Sequence, residues 1–377
     1  MLSVNLVDRK VDPIGAQRRS EENATLCREI KEAKNRINNQ KRWDVAKKFT
    51  NEFEYIFSFN NEGVADVIPI SRSFFKIVEI VHETGVLRAL PSSIRIACLC
   101  EGPGGFVQGM RYACGSVGVE VEHAYAITLV STDKKVPNWK LDNDARTTLV
   151  TGPRHTGDIY EVATIDDFVL RSGENRADVV TADGGFDFSA DFNSQEQSFV
   201  RLLTCEIYAG VRLQRLGGHF VMKVFDLFNA GTVRLIALLC DLYETVRVHK
   251  PNTSRPANSE RYVVCSGYLG ASPEVLETLR QYVVSYTEGA LPALDEVVGE
   301  ERLENTFQHV HDLNKTHVHK QKRYIERTLE LIKESRLFDK RRYDTYCVAW
   351  CKRYGVPVKP CYDHRGVGSP NHLSTFG

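Results

Sequence analysis

The chain lacks any run of eighteen uncharged apolar residues, so no ordinary membrane-spanning helix is expected. Its first residues lack the long apolar core of a secretory signal. Internal repeats and low-complexity tracts are absent. Net charge is absent too, with 49 Lys/Arg against 49 Asp/Glu. The ten cysteines are scattered and sit mostly in apolar segments such as "LLCDLY". That usage predicts reduced, buried thiols in an intracellular protein rather than a disulfide framework. What is present is ordinary globular composition over 377 residues, 42% hydrophobic and 26% charged. That length is ample for a full core, as one large domain with extensions or as two small ones.

The neutral total hides an uneven distribution. Residues 315–377 carry 14 Lys/Arg against 6 Asp/Glu, and 9–48 are also net basic. Residues 267–304 carry 2 against 8. Basic flanks can track a polyanion, because phosphate contacts supply most non-specific affinity. A solvated helix face explains either flank equally well.

From about residue 70 the pattern alternates strand and helix. "SRSFFKIVEIVHETGVL" places Phe74, Phe75, Ile77, Val78 and Val81 at helical spacing. "IRIACLC" reads as a buried strand, followed by a Gly-rich turn and a helix. "EHAYAITLV", "RTTLVTG", "ADVVTADGGF", "HFVMKVF", "ETVRVHKP" and "RYVVCSGYL" read as further strands. The helix "SQEQSFVRLLTCEIYAGVRLQRLGG" is expected to stop at its glycines. Strands alternating with helices predict an α/β, Rossmann-like sheet, mostly parallel, with helices on both faces. The last two strands have no helix between them, so one is expected to be antiparallel. Helical segments flank this core, giving expected boundaries at 1–69, 70–270 and 271–377.

In an open sheet of this kind, ligands bind beyond the carboxyl ends of the strands. Gly102, Pro103, Gly104 and Gly105 lie there and allow close backbone approach. They are not a dinucleotide fingerprint, since position 107 is Val107. Asp183 follows a strand and precedes two glycines, where it projects into the crevice or caps a turn. Lys223 lies in an apolar strand, where burial lowers a lysine's pKa. Glu260 stands at the entrance to the last strand, and Lys76 among apolar helical positions.

Together these segments resemble the FtsJ-like ribose 2'-O-methyltransferases over residues 71–269. "SRSFFKIVEI" looks like that family's first-lysine helix, "CEGPGGF" its S-adenosylmethionine turn and "GDI" at 157–159 its adenine-contacting segment. "ADGGFD" looks like its acid motif, and "KVF" and "KPNTSRPANSERY" its second-lysine and glutamate motifs. The resemblance implies a catalytic set of Lys76, Asp183, Lys223 and Glu260. It implies that Gly102, Pro103, Gly104, Gly105 and Phe106 line the methionine and ribose end of S-adenosylmethionine, near Asp183. Asp158 would accept from the adenine amino group, with Ile159 beside it. Neutral Lys223, poised between desolvation and neighbouring charge, would take the hydroxyl proton. No metal is required. Cys98 and Thr128 stand where this family often has acids, and Glu101 and Asp133 are the available substitutes.

The expected reaction is methyl transfer to a ribose 2'-hydroxyl of RNA. The extensions make the chain look like the viral and eukaryotic mRNA cap enzymes, acting beside the 5' cap. Ribosomal or transfer RNA is the alternative substrate. An RNA-binding subunit with an inactive methyltransferase fold is the alternative of another class. RNA is the expected partner, with no membrane, in cytoplasm, viral factory, virion or nucleus. Elsewhere, "HVHDLNKTHVHK" holds His309, His311, His317 and His319. A solvated or RNA-contacting face is expected there rather than zinc. Trp43, Trp139 and Trp350 read as packing residues by default, with Trp139 the candidate for stacking on a base.

Overall fold

The protein was analysed as a computed structural model describing residues 3–6, 15–38, 40–58, 62–141, 145–173, 176–186, 192–286, 297–334 and 340–363. The end of the basic C-terminal segment, 364–377, and part of the basic N-terminal segment lie outside the described residues.

Among the described residues eight strands form one sheet. They are β1 (Ser3–Asn5), β2 (Ser93–Leu99), β3 (Glu120–Ile127), β4 (Thr147–Val150), β5 (Ala177–Ala182), β6 (Gln214–Val224), β7 (Tyr243–His249) and β8 (Arg261–Tyr268). Their order is β1-β7-β8-β6-β5-β2-β3-β4. The run β4-β3-β2-β5-β6 is parallel, and β8 is antiparallel to both β6 and β7. That is the single reversed strand expected from the missing crossover helix. The three-residue β1 adds a second, pairing antiparallel with β7. It is too short to carry a periodic signal, so the sequence pattern predicts only helix in this region.

β5 is buried along its whole length, as a central strand covered on both faces must be. Two apolar cores follow from the alternation along the strands. Leu99, Val180, Ala182, Phe220 and Met222 pack beneath helices α5 (Val162–Ser172), α6 (Gln195–Leu213) and α7 (Ala230–Leu242). Ile96, Cys98, Val179 and Val221 pack beneath α3 (Ser73–Glu83) and α4 (Gly105–Ser116). The α6 helix stops at Leu213, before the expected glycine stop. The segment 214–218 instead continues as strand, with a register shift opposite 177–179 and Gly217 at φ +73°. Pairing with β5 overrides the helical pattern there.

The described parts of the extensions are mainly helical, apart from β1 and a single bridge between Ala65 and Val358. Helix α1 (Ala16–Asn35), which the short α2 (Trp43–Ala46) follows, packs along Glu300–Glu334, burying Leu26 and Ile30 with Val318, Ile325 and Leu329. Helix Asp344–Arg353 places Trp350 against Phe75, ring centroids 5.7 Å apart. All ten cysteines are free and seven are buried. No helix among the described residues is long and apolar enough to cross a membrane.

Glu54 ties the N-terminal segment to the core. Its buried carboxylate receives Arg255 at 2.8 and 3.0 Å and lies 3.3 Å from Arg72. Burial alone would raise its pKa, but the two guanidinium groups outweigh it and hold the carboxyl at about 2. The ion pairing therefore stabilises the fold above the ordinary value of 4.5 and is lost as pH falls toward 2. Glu54→Ala is expected to lose about 3–5 kcal/mol at pH 7 in urea unfolding. The gap to wild type is expected to narrow below pH 4.

Candidate active site

The chain runs from β2 outward to β3 and β4, then returns to β5 and β6 on the other side. Sheet order therefore reverses between β2 and β5, which opens a crevice at their carboxyl ends. The Asp183 N–H donates to the Leu99 carbonyl at 3.3 Å, so the ends of these strands are tied together.

Strand parity decides which side chains meet there. Lys223 lies opposite Tyr262 in the β6–β8 ladder, on the face covered by α3 and α4. The Lys223 ammonium donates to the Asp183 carbonyl oxygen at 2.8 Å and lies 3.3 Å from Asp183 Oδ1. The Tyr262 hydroxyl donates to that same Oδ1 at 2.9 Å. A second ion pair joins Lys76 Nζ to Glu260 Oε2 at 2.8 Å. Lys76, Asp183, Lys223 and Glu260, separated by up to 184 residues, are thus brought to one rim.

Glycines make this approach possible. A Cβ at Gly185 would lie 3.0 Å from Lys223 Nζ, and one at Gly184 would lie 2.8 Å from Leu202. Gly105 and Gly109 of α4 lie against 71–74 and Ile77, so any side chain there would push α3 away. The α3 helix carries Lys76 and, one turn on, Glu79. The fully buried Glu79 carboxylate accepts from the Asn252 and Thr253 N–H groups at 2.7 and 3.0 Å, and from Trp350 Nε1 at 3.1 Å. It therefore fixes the loop that presents Glu260. In the sequence the trace of Glu79's role is an acid amid the apolar "FFKIVEIV".

The electrostatics differ from expectation at Lys223. Burial pushes its pKa down, but Asp183, Glu260 and Glu206 together outweigh burial and raise it above the ordinary 10.5. The free protein thus holds an ammonium there, not a poised amine. Burial would raise Glu260 as well, yet Lys76 and Lys223 hold it at about 2. Glu206 goes the other way: burial lifts it to about 8, with one oxygen accepting from the Gly184 N–H at 3.2 Å.

The glycine turn lies beside this rim. Cys100, at φ +55°, swings the chain out of β2, and Gly104 at φ +116° starts α4. Glu101 is buried at the foot of the turn, and its Oε1 accepts from the Phe106 N–H. Its Oε2 has no partner. Burial, reinforced by Asp183, raises its pKa well above the carboxylate range. Phe106 itself is fully buried, 6.0 Å from the Tyr262 ring, so its side chain supports the site from beneath instead of lining it. Gly102 and Pro103 remain partly exposed, while Gly104 and Gly105 are buried. Thr128 lies against Gly102, and Gly157 against Thr128, so residues 157–159 continue the strip. Asp158 is half-buried, with Oδ1 accepting from the Tyr160 N–H at 2.9 Å, and Ile159 is buried. Leu141 packs on Gly104, and the Lys140 N–H donates to the Pro103 carbonyl at 3.0 Å. Asp133 is exposed and caps its own loop at Lys135 N, 2.9 Å away.

The histidine segment departs from expectation. His309, His311 and His317 are buried, and only His319 of that segment is exposed. Packing of the long helix, not solvent, sets their environment: His311 lies 3.3 Å from Glu22, and His317 stands among Lys250, Arg261 and Lys320. No group of three or more metal-ligating side chains occurs among the described residues. Trp43 and Trp350 are core residues, whereas Trp139 is half-buried beside the glycine turn.

This strand order, with a glycine turn, acid and lysine gathered at the switch point, defines the Rossmann-like methyltransferase class. The sequence model of the FtsJ-like methyltransferases matches residues 69–268, and the chain belongs to that family. The cap-specific mRNA (nucleoside-2'-O-)-methyltransferase 1 of Leishmania braziliensis is 35% identical over 214 residues, 53% of each chain. The cap-specific mRNA (nucleoside-2'-O-)-methyltransferase of Autographa californica nuclear polyhedrosis virus is 32% identical over 174 residues, 45% of this chain and 63% of that one. An inactive cap-specific mRNA (nucleoside-2'-O-)-methyltransferase 1B of Caenorhabditis briggsae is 28% identical over 260 residues, 65% of this chain and 30% of that one. The chain spans about half the length of the first curated relatives it matches.

The Asp183 carboxylate is the first of the neighbouring charges that raise Lys223. In Asp183→Asn the Lys223 pKa is expected to drop below its wild-type value, read by NMR titration of ¹³Cε-labelled lysine. An unchanged titration would remove Asp183 as the controlling charge.

Proposed function

We propose that the chain transfers a methyl group from S-adenosylmethionine to a ribose 2'-hydroxyl of RNA, at the cap-proximal nucleotide of mRNA. The observation that carries this reading is the meeting of Lys76, Asp183, Lys223 and Glu260 on one rim. The substrate rests on relatives named for cap-specific mRNA methylation.

The residues present suit a cationic nucleoside cofactor. Glu101 offers a partnerless buried oxygen beside the turn. Gly102, Pro103, Gly104 and Gly105 offer backbone close at hand, with Phe106 beneath them. Asp158 and Ile159 stand at the far end of the strip for the adenine. When bound, S-adenosylmethionine supplies an electrophilic methyl group on a sulfonium.

The chain's own residues then handle the hydroxyl. Lys223 Nζ would accept the 2'-hydroxyl proton as the ribose oxygen gains the methyl group and the methyl–sulfur bond breaks, leaving an ammonium, a methyl ether and a neutral thioether. Before that, Lys223 has to lose the proton that Asp183 and Glu260 help it hold. A cation brought alongside favours that loss by like-charge repulsion. Asp183, braced by Tyr262, aims the amine; the Lys76–Glu260 pair orients the hydroxyl. In-line positioning supplies much of the rate.

Labelled methyl transfer to short capped RNA tests this reading. Lys223→Ala is expected to lower the rate by about 10²–10⁴-fold, the worth of one positioned acid–base group. Equal rates on capped and uncapped RNA would favour structured RNA as substrate. No transfer to any RNA would favour a binding role; one relative is named inactive. Because Lys223 is raised in the free protein, kcat/KM is expected to climb with pH and to be still rising at about pH 9. A plateau near neutrality would rule Lys223 out as the base.

A further inference from the structure

Glu206 reaches the rim from the side of the sheet opposite Lys223. It lies on α6, which packs in the core shared with α5 and α7, whereas Lys223 lies on the face covered by α3 and α4. Glu206 is fully buried. One peptide group stands between the two residues. Its carbonyl oxygen, that of Asp183, accepts from Lys223 Nζ at 2.8 Å. Its N–H, that of Gly184, donates to Glu206 Oε1 at 3.2 Å. Lysine, peptide and carboxyl group thus form one hydrogen-bonded chain across the end of β5. Glu206 Oε2 has no hydrogen-bond partner.

Glycine at 184 is needed for this chain. A Cβ there would lie 2.3 Å from Glu206 Oε1 and 2.8 Å from Leu202, so any side chain would displace the carboxyl group from the peptide. The surroundings of both ends are defined. Lys223 and the Cys100 thiol favour the charged form of Glu206, and Asp183 opposes it; Cys205 and Tyr160 also lie near. Around Lys223 stand Asp183, Glu260 and Glu206, with Glu101, Tyr262 and Cys100 beside them. Lys76 is held beyond Glu260.

Hydrogen bonds in a chain polarise one another, and more so at low dielectric. An ionised Glu206 draws on the Gly184 N–H, makes the Asp183 carbonyl oxygen a stronger acceptor and adds a third negative charge near the ammonium. A neutral Glu206 does none of these. We propose that Glu206 is a positioning residue for methyl transfer, which through the Asp183–Gly184 peptide orients Lys223 and by its charge sets how readily Lys223 gives up its proton. The assignment rests on the reading of Lys223 as the base. Burial lifts Glu206 to about 8, so below that pH Asp183 and Glu260 hold the ammonium without it.

Paired titrations test the coupling without methyl transfer. Glu206→Gln keeps an acceptor for the Gly184 N–H and removes the charge. In it the Lys223 midpoint is expected to fall by about one pH unit, read by NMR of ¹³Cε-labelled lysine. In Lys223→Met the Glu206 midpoint is expected to rise above 8 by a similar amount, read with ¹³Cδ-labelled glutamate, because coupling between two groups is reciprocal. The second titration decides where Glu206→Gln fails to fold. Rates then separate this role from a merely structural one. Below pH 8 both proteins are neutral at 206 and are expected to show similar kcat/KM on capped RNA. At higher pH Glu206→Gln is expected to be the faster, by up to about tenfold, the equivalent of one pH unit. Glu206→Leu, which removes the acceptor as well, is expected to lower kcat about tenfold with KM for RNA unchanged. A Glu206→Gln protein slower than wild type at every pH would overturn the proposal, as would equal kcat in the Gln and Leu variants. If RNA is methylated but neither midpoint moves, the coupling fails and the methyltransferase reading stands. If both midpoints move and no RNA is methylated, the coupling stands and that reading fails.

Discussion

Two ammonium groups and two carboxylates share the rim beyond β5 and β6, and each tolerates its burial because the others are there. An unpaired buried charge costs several kcal/mol, and a pair repays that cost only when its geometry is good. The Lys76–Glu260 contact at 2.8 Å and the Lys223–Asp183 contact at 3.3 Å meet that need from four different segments. The first-helix segment, both central strands and the loop before β8 must therefore all be in place before any of these charges is stable.

Close packing makes this meeting possible. Gly105 and Gly109 let α3 lie on α4 with no intervening side chain, which sets the depth of Lys76. Glu79, one turn along, gathers the 252–253 backbone and Trp350, so the same helix fixes both partners of the first ion pair. Glu54 does similar work for Arg72 and Arg255. The flanking segments thus brace the site from outside the sheet. Removing charge from either brace would disturb a site that the braced residues do not touch.

The rim also shows why a buried lysine need not be a neutral one. Desolvation favours the amine, but Asp183, Glu260 and Glu206 favour the ammonium more. Glu101 and Glu206 are pushed toward their neutral forms by the same burial. The same burial thus leaves a charged lysine beside two acids that lean toward their neutral forms.

Much of this was legible in the residues themselves. Alternating apolar runs determined the α/β class and one reversed strand among the last two, because strand and helix periods differ, and the glycine turn was legible because only glycine allows the approaches seen at 104 and 185. Lys223 was conspicuous as a charge in an apolar strand, while the set of four with Lys76, Asp183 and Glu260 came from the family resemblance. Other features were decided by tertiary contacts. The strand state of 214–218, the burial of His309, His311 and His317, the inward position of Phe106 and the protonation of Lys223 depend on neighbours far away in sequence. The parts played by Glu79, Glu101 and Glu206 were not legible for the same reason. Local pattern reports which way a residue faces along its own element. The field and the contacts it meets belong to the elements packed against it, and those exist only once the chain has folded.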